Sequence, residues 1–270
     1  MRSKKTWQGF IQMAKSGLNT NMENNRNQLI KSAVDTRDFI QGKFYDKETQ
    51  ENFFQLKLGF TPYNQTPFGS CAANAVAGAI IYTIAKSGHV GVQKKLRPSR
   101  MFLYNLTRFY EGHLNSDNGC QLRNVLKVAR MGFVKESEFP YIKENIFKQF
   151  EAPEYKNKIG AYYATEESVD GICDAIQSGY PVIAGMHVFA NTFSINKDAV
   201  IQVGGTQPKG GHGVLITGFD RAKQLFTVRN SYGKEFGKDG DFFMPFSFVN
   251  DGYVFDTYII TGMKAIEKSV

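Results

Sequence analysis

The chain has 270 residues and a formal charge of +8, and its 42% hydrophobic, 14% aromatic and 21% charged content excludes disordered and collagen-like chains. That length leaves one large domain or two lobes around a cleft, and no uninterrupted apolar run approaches the roughly 18 to 20 residues of a membrane-spanning helix. Three cysteines, Cys71, Cys120 and Cys173, cannot all pair and argue against a disulfide-stapled secreted protein, so a reducing compartment is expected.

Residues 1–32 are polar and Asn-rich. Arg2, Lys4, Lys5, Lys15, Arg26 and Lys31 face Glu23 alone in residues 1–31, so +5 of the charge lies there. The stretch reads as a basic, loosely ordered leader with room for a short helix near Trp7 to Lys15, and it lacks the apolar core of a signal peptide. No zinc spacing, phosphate loop or nucleic-acid module accompanies the charge, which leaves nucleic acid at most a weak contact of this leader. Residues 33–60 read as an extended segment wrapping a lobe.

Turn chemistry at Asn64-Gln65-Thr66-Pro67-Phe68-Gly69-Ser70 then gives way to an Ala-rich apolar run after Cys71, which predicts a helix buried nearly all round. A thiol at a helix start is stabilised as thiolate by unsatisfied N–H groups and the positive end of the helix dipole. On this stretch alone a reactive thiol and a packed core thiol are equally open. Pro98-Ser99 opens a second helix through Tyr110. The turn cluster 115–119 precedes a third helix, from Leu122 to Gly132.

The second half changes period. A strand-like piece at 160–164 and a helix from Val169 that stops at Gly179 lead into strands at 181–189, 213–219, 225–229, 241–244 and 253–261. The expected class is α+β, a helical lobe followed by an antiparallel β-rich lobe with a cleft between them.

Of the four histidines, His89 and His113 lie in polar turns and His187 reads as a surface or edge residue. His212, in Gly210-Gly211-His212-Gly213, has small neighbours that leave room beside the imidazole. It opens a strand that returns as a hairpin ending at Asn230, within a residue or two of the position opposite His212. Asn230 is placed to orient the ring, and Gln65 with the Cys71 N–H to hold an oxyanion.

These residues resemble the papain-like cysteine peptidases: Gln65 followed by Gly69-Ser70-Cys71, Gly-His-Gly at 211–213, and Asn230-Ser231 before an aromatic and Gly233. His212 lies 141 residues after Cys71, within the spacing of about 130–150 usual for that family. The resemblance covers residues 33 to about 262, beginning with Val34-Asp35-Thr36-Arg37 and including Glu138-Phe139-Pro140-Tyr141, and is nearest to intracellular microbial and large-DNA-virus forms. It implies a two-lobed fold, with residues 33–270 as catalytic domain, a helical lobe at about 61–158 and a β-rich lobe at about 159–262. It also implies peptide hydrolysis by Cys71, His212, Asn230 and Gln65 without metal or organic cofactor, on protein or peptide substrates. Asn118, Gly119 and Gly211 are the implied substrate-binding residues. The implied location is cytoplasmic or otherwise intracellular, virion-associated if the source is viral.

Departures are visible. Phe68 stands where secreted members have a disulfide cysteine, Ala72 where an aromatic follows the nucleophile, and Tyr232 where a Trp shields the His–Asn contact. Residues 1–32 show none of the long helical propeptide motif of many relatives. An acyltransferase or transglutaminase sharing the acyl-enzyme, and a non-catalytic binding protein keeping the fold, are the alternatives.

Overall fold

The computed structural model describes residues 28–32, 51–88, 96–149, 155–195, 198–202 and 207–266. The expectations for the leader before Gln28, for Val34 to Arg37 and for His89 lie outside them.

Helix α1 (Cys71–Lys86) carries no charged side chain before Lys86, and all its residues from Cys71 to Ile81 are buried. Gly78 makes that possible: a Cβ there would sit 3.2 Å from the Phe60 ring and 3.3 Å from Leu215, so both side chains seat directly on the helix. Helix α2 (Arg100–Tyr110) starts where Ser99 accepts the Phe102 N–H at 3.0 Å, the expected serine cap. Helix α3 (Leu122–Met131) ends at Gly132, whose φ of 144° only glycine adopts without strain. These three helices share one apolar core with Leu96, Phe133 and Phe139.

The β-rich part contains β1 (Phe53–Gln55), β2 (Lys158–Ile159), β3 (Tyr162–Ala164), helix α4 (Val169–Gln177), β4 (Val182–Val188), β5 (Gly210–Asp220), β6 (Leu225–Arg229), β7 (Asp241–Pro245), helix α5 (Ser247–Asn250), β8 (Val254–Ile260) and β9 (Met263–Ala265). Strands β3-β8-β4-β5-β6-β7 form one antiparallel sheet, with β1 also on β5, while β2 and β9 pair separately. A second apolar core lies between this sheet and α4, centred on Ile176, Ile216, Phe226 and Phe242. The expected α+β class and two-lobed arrangement hold.

Several details differ from the sequence expectation. β5 begins at Gly210, not Gly213, so His212 lies within a strand, opposite Met186 of β4. Its neighbouring glycines hide the strand start because they carry no β-forming side chain. His187 is on an interior strand, since β4 pairs with both β5 and β8. The wrapping segment contributes β1, whose Phe53, Phe54 and Gln55 pair with Asp220, Phe219 and Gly218.

Ile80 is fully buried in the α1 core. Ile80→Ala is expected to lower unfolding free energy by about 2–5 kcal/mol, measured by chemical denaturation.

Candidate active site

The site forms where the first turn of α1 meets β5. A Cβ on Gly213 would lie 3.0 Å from both Cα and N of Ala72 and 3.1 Å from the Cys71 carbonyl carbon, so glycine is what lets the strand touch the helix start. His212 and Cys71 flank this contact, and both are fully buried.

The helix start is left uncapped by the usual means. Ser70 occupies the N-cap position, but its side chain makes no capping hydrogen bond and no acidic residue lies in the first turn. Its hydroxyl instead pairs with the Tyr141 phenol and accepts from Asn74 Nδ2 at 3.0 Å. The N–H groups of Cys71 and Ala72, together with that of Gly213, bear on the Cys71 sulfur and favour thiolate, yet burial outweighs them and pushes the thiol up to about 11. Charge on the sulfur therefore needs a cationic partner in the same dry site.

His212 supplies a ring in a fixed state. Its Nε2 is 2.8 Å from Asn230 Oδ1, and that oxygen also accepts the Ser231 backbone N–H at 2.8 Å. An oxygen that already accepts a backbone N–H identifies the Asn230 amide orientation, so Nε2 carries the proton and donates. Nδ1 is left as the nitrogen on the far side of the ring from Asn230. Tyr232 lies over the imidazole with ring centroids 5.0 Å apart, and Phe193 meets it edge-on at 5.4 Å, a hydrophobic cover that keeps water from the His–Asn bond.

Gln65 is also fully buried. Its Oε1 accepts from Ser231 Oγ at 2.5 Å and its Nε2 donates to the Phe68 carbonyl at 2.8 Å. With one amide hydrogen so placed and Oε1 committed, the amide plane is fixed and its second N–H direction is set. The Asn230-Ser231 pair thus orients two side chains: Asn230 holds the imidazole and Ser231 holds the glutamine.

Other supports carried no sequence signal, because their partners are remote in the chain. The Tyr141 hydroxyl donates to the Gln65 carbonyl at 2.9 Å, and burial pushes that phenol up to about 12, which keeps it a neutral donor. Arg100 makes a bidentate pair with Glu136 at 2.8 and 3.0 Å, donates to Asn74 Oδ1 at 2.9 Å and stacks over Tyr141. Asp117 accepts the Gly69 N–H on both carboxylate oxygens, at 3.0 and 3.2 Å, and the Tyr104 hydroxyl as well. Tyr104 in turn accepts the Gly119 N–H at 3.2 Å. The loop before α1 is therefore tied to the loop before α3 by a carboxylate, while Phe68 packs edge-on against Tyr141.

Among the substrate-binding candidates, Gly119 and Gly211 are buried and lie against residues 28 and 29, whereas Asn118 is exposed. Among the described residues no group of three His, Cys, Asp or Glu side chains is arranged to hold a metal ion, and no helix is long and apolar enough to cross a membrane. The three cysteines are free and buried.

Comparison with known proteins gives the family and the fold. The family model for papain family cysteine protease matches residues 60–250. An uncharacterised peptidase C1-like protein of Acanthamoeba polyphaga mimivirus is 30% identical over 259 residues, covering 82% of each chain. Human cathepsin O is 27% identical over 186 residues, covering 66% of this chain and 54% of its own. The crystal structure of xylellain, a cysteine protease from Xylella fastidiosa, superposes with a TM-score of 0.81 at 26% identity, covering 91% of this chain and 99% of that one.

Two substitutions test the assembly. Gly213→Ala is expected to push β5 off α1 and slow alkylation of Cys71 in peptide-mapped labelling. Asp117→Ala leaves the buried Gly69 N–H without its acceptor and is expected to cost about 1–3 kcal/mol, measured by denaturation.

Proposed function

Because the chain belongs to the papain family of cysteine proteases, we propose that it hydrolyses peptide bonds with Cys71 as nucleophile and His212 as its acid–base partner. The observation that carries this reading is the His212 Nε2–Asn230 Oδ1 hydrogen bond at 2.8 Å, because it fixes ring and tautomer one residue from the Gly213 contact with Cys71. Residues 33–270 are the catalytic domain in this reading, with the lobes meeting near residue 159.

Transfer of the thiol proton to His212 Nδ1 forms a thiolate–imidazolium pair, in which each charge offsets the other's desolvation. The sulfur adds to the substrate carbonyl carbon, forming a C–S bond while the carbonyl electron pair moves to oxygen. Gln65 Nε2–H and the Cys71 N–H donate to that oxyanion. Collapse breaks the C–N bond, and the imidazolium gives its proton to the leaving amine. Water, deprotonated by His212, then attacks the thioester; the C–O bond forms, the C–S bond breaks, and the acid leaves. Asn230 keeps Nε2–H engaged throughout, so the ring presents Nδ1 at each proton transfer.

Peptides are the substrates that family membership supports. The free thiols and Phe68 at the disulfide position support a reducing compartment.

Labelling by an epoxide thiol inhibitor, read by intact mass, should add one inhibitor to the wild-type chain and none to Cys71→Ala. Equal labelling of Cys71→Ala would sink the assignment. Gln65→Ala should keep labelling but lower kcat on a peptide by about 10²–10³, the usual effect of losing one oxyanion donor.

A further inference from the structure

Asn74 carries the one amide side chain in the buried stretch of α1 from Cys71 to Ile81, and it is 2% exposed. An asparagine disfavours a helix interior and is costly to bury unless bonded, so its place in an apolar helix needs a reason. Each of its polar atoms is engaged. Nδ2 donates one hydrogen to the Ser70 carbonyl at 2.9 Å and the other to Ser70 Oγ at 3.0 Å, while Oδ1 accepts from Arg100 Nη1 at 2.9 Å. A guanidinium can only donate, so Arg100 fixes which way the amide is turned. Arg100 is itself held by both Glu136 carboxylate oxygens.

Two branches leave this amide. The first runs through the backbone: the Ser70 carbonyl also accepts the Asn74 backbone N–H at 3.0 Å, so two donors converge on it. Ser70 C=O and Cys71 N–H belong to one planar peptide group. Holding and polarising the carbonyl therefore aims the Cys71 N–H and strengthens it as a donor. The second branch runs through hydroxyls. The Gln65 carbonyl can only accept, so the Tyr141 hydroxyl donates to it at 2.9 Å. With its proton committed there, the phenol accepts from Ser70 Oγ, which in turn accepts from Asn74 Nδ2. The direction of donation is thus set from Asn74 to Ser70 to Tyr141 to Gln65, with the Arg100–Glu136 pair at its origin.

The second branch ends on strained backbone. Thr66, next after Gln65, has a left-handed φ of 37°, a region that a β-branched residue keeps only where its surroundings over-determine it. Its N–H is held by Asn64 Oδ1 at 3.0 Å, the Gln65 N–H by the Ser231 carbonyl at 2.8 Å, and the Gln65 carbonyl by Tyr141.

We propose that Asn74 is a positioning residue for the oxyanion site and holds both of its donors at once, the Cys71 N–H through the Ser70 peptide and Gln65 through Ser70 Oγ and Tyr141. This deepens the proposed function and rests on the reading of those two groups as the oxyanion donors. Asn74 takes no part in bond making or breaking. Because both donors hang on one amide, their separation and aim are set together.

The test uses the full chain with Asn74→Ala and Tyr141→Phe, each alone and combined with Gln65→Ala, after melting curves establish folding. Hydrolysis of a fluorogenic peptide gives kcat and KM. Protection of Cys71 from iodoacetamide by a peptide aldehyde gives the affinity for a hemithioacetal, in which the S–C bond has formed and the former carbonyl oxygen has taken the thiol proton. Iodoacetamide alone alkylates Cys71 by displacing iodide and forms no oxyanion. Asn74→Ala should lower kcat and aldehyde affinity about 10²-fold and Tyr141→Phe about tenfold, with KM and alkylation within about twofold of wild type. Tyr141→Phe should cost nothing further once Gln65 is alanine, whereas Asn74→Ala should still cost, because it also releases the Cys71 N–H. Folded Asn74→Ala protein with wild-type kcat and aldehyde affinity overturns the proposal, as does a fall in alkylation equal to the fall in kcat. A wild type that binds the aldehyde with Asn74-dependent affinity but hydrolyses no peptide supports the positioning role and overturns the peptidase reading instead. A wild type that does neither overturns both.

Discussion

The contact between Gly213 of β5 and the Cys71-Ala72 backbone at the start of α1 sets the whole site, because it fixes how far a histidine on a strand stands from a thiol on a helix. Strand and helix come so close that a Cβ on Gly213 would lie 3.0 Å from Ala72 Cα, an approach that is open only because the strand has no side chain there. Both cores serve that seam. The helical core holds α1 with Phe60 and Leu215 pressed on Gly78, and the β-rich core holds β5 between β4 and β6. Dispersion and burial thus position chemical groups that themselves contribute little to stability.

Burial has a second consequence at the same place. A fully buried thiol resists ionisation, and three N–H donors do not reverse that. The same low dielectric strengthens any thiolate–imidazolium attraction and every hydrogen bond around it. Asp117 adds a negative charge that further opposes ionisation of Cys71, so its contribution lies in the tie from Gly69 to Tyr104 and on to Gly119. A disulfide would make that tie without charge, but a reducing environment would not keep it closed. Here the connection is made by hydrogen bonds, with Phe68 and Tyr141 packing beside it.

The polar groups beneath the loop before α1 form a connected set: Arg100, Glu136, Asn74, Ser70, Tyr141 and the Gln65 carbonyl. Such a set holds one loop geometry well because breaking any link strands a buried partner. It explains why the helix start lacks a side-chain cap: Ser70 is drawn into this set, and the first-turn N–H groups stay available to the sulfur. Residues 28–32 use the opposite device. The Leu29 N–H donates to the Gly211 carbonyl, the Leu29 side chain is buried over Gly185, and the Ser32 N–H reaches the Asp256 carboxylate.

The candidate residues Cys71, His212, Asn230 and Gln65 stood out in the sequence because each sits in a local pattern: a turn-to-helix junction, a glycine-flanked strand and a hairpin end. The helices were legible from apolar period and the Ser99 cap, and the α+β class from the change of period near residue 160. Asp117, Tyr104, Tyr141, Arg100 and Ser231 were not legible as site supports, since each acts across tens to more than a hundred residues of chain and no local period records such partners. The beginning of β5 at Gly210 was hidden for a related reason: glycine has no β preference, and only pairing with Val188, His187 and Met186 makes it a strand. The sequence alone determined the chemical types and the elements that bear them, because local backbone preference and hydrophobic period are properties of short segments. Only the tertiary structure decided which nitrogen of His212 is bound, how Gln65 is turned and that Leu29 is buried against Gly211 and Gly185, because those follow from long-range packing.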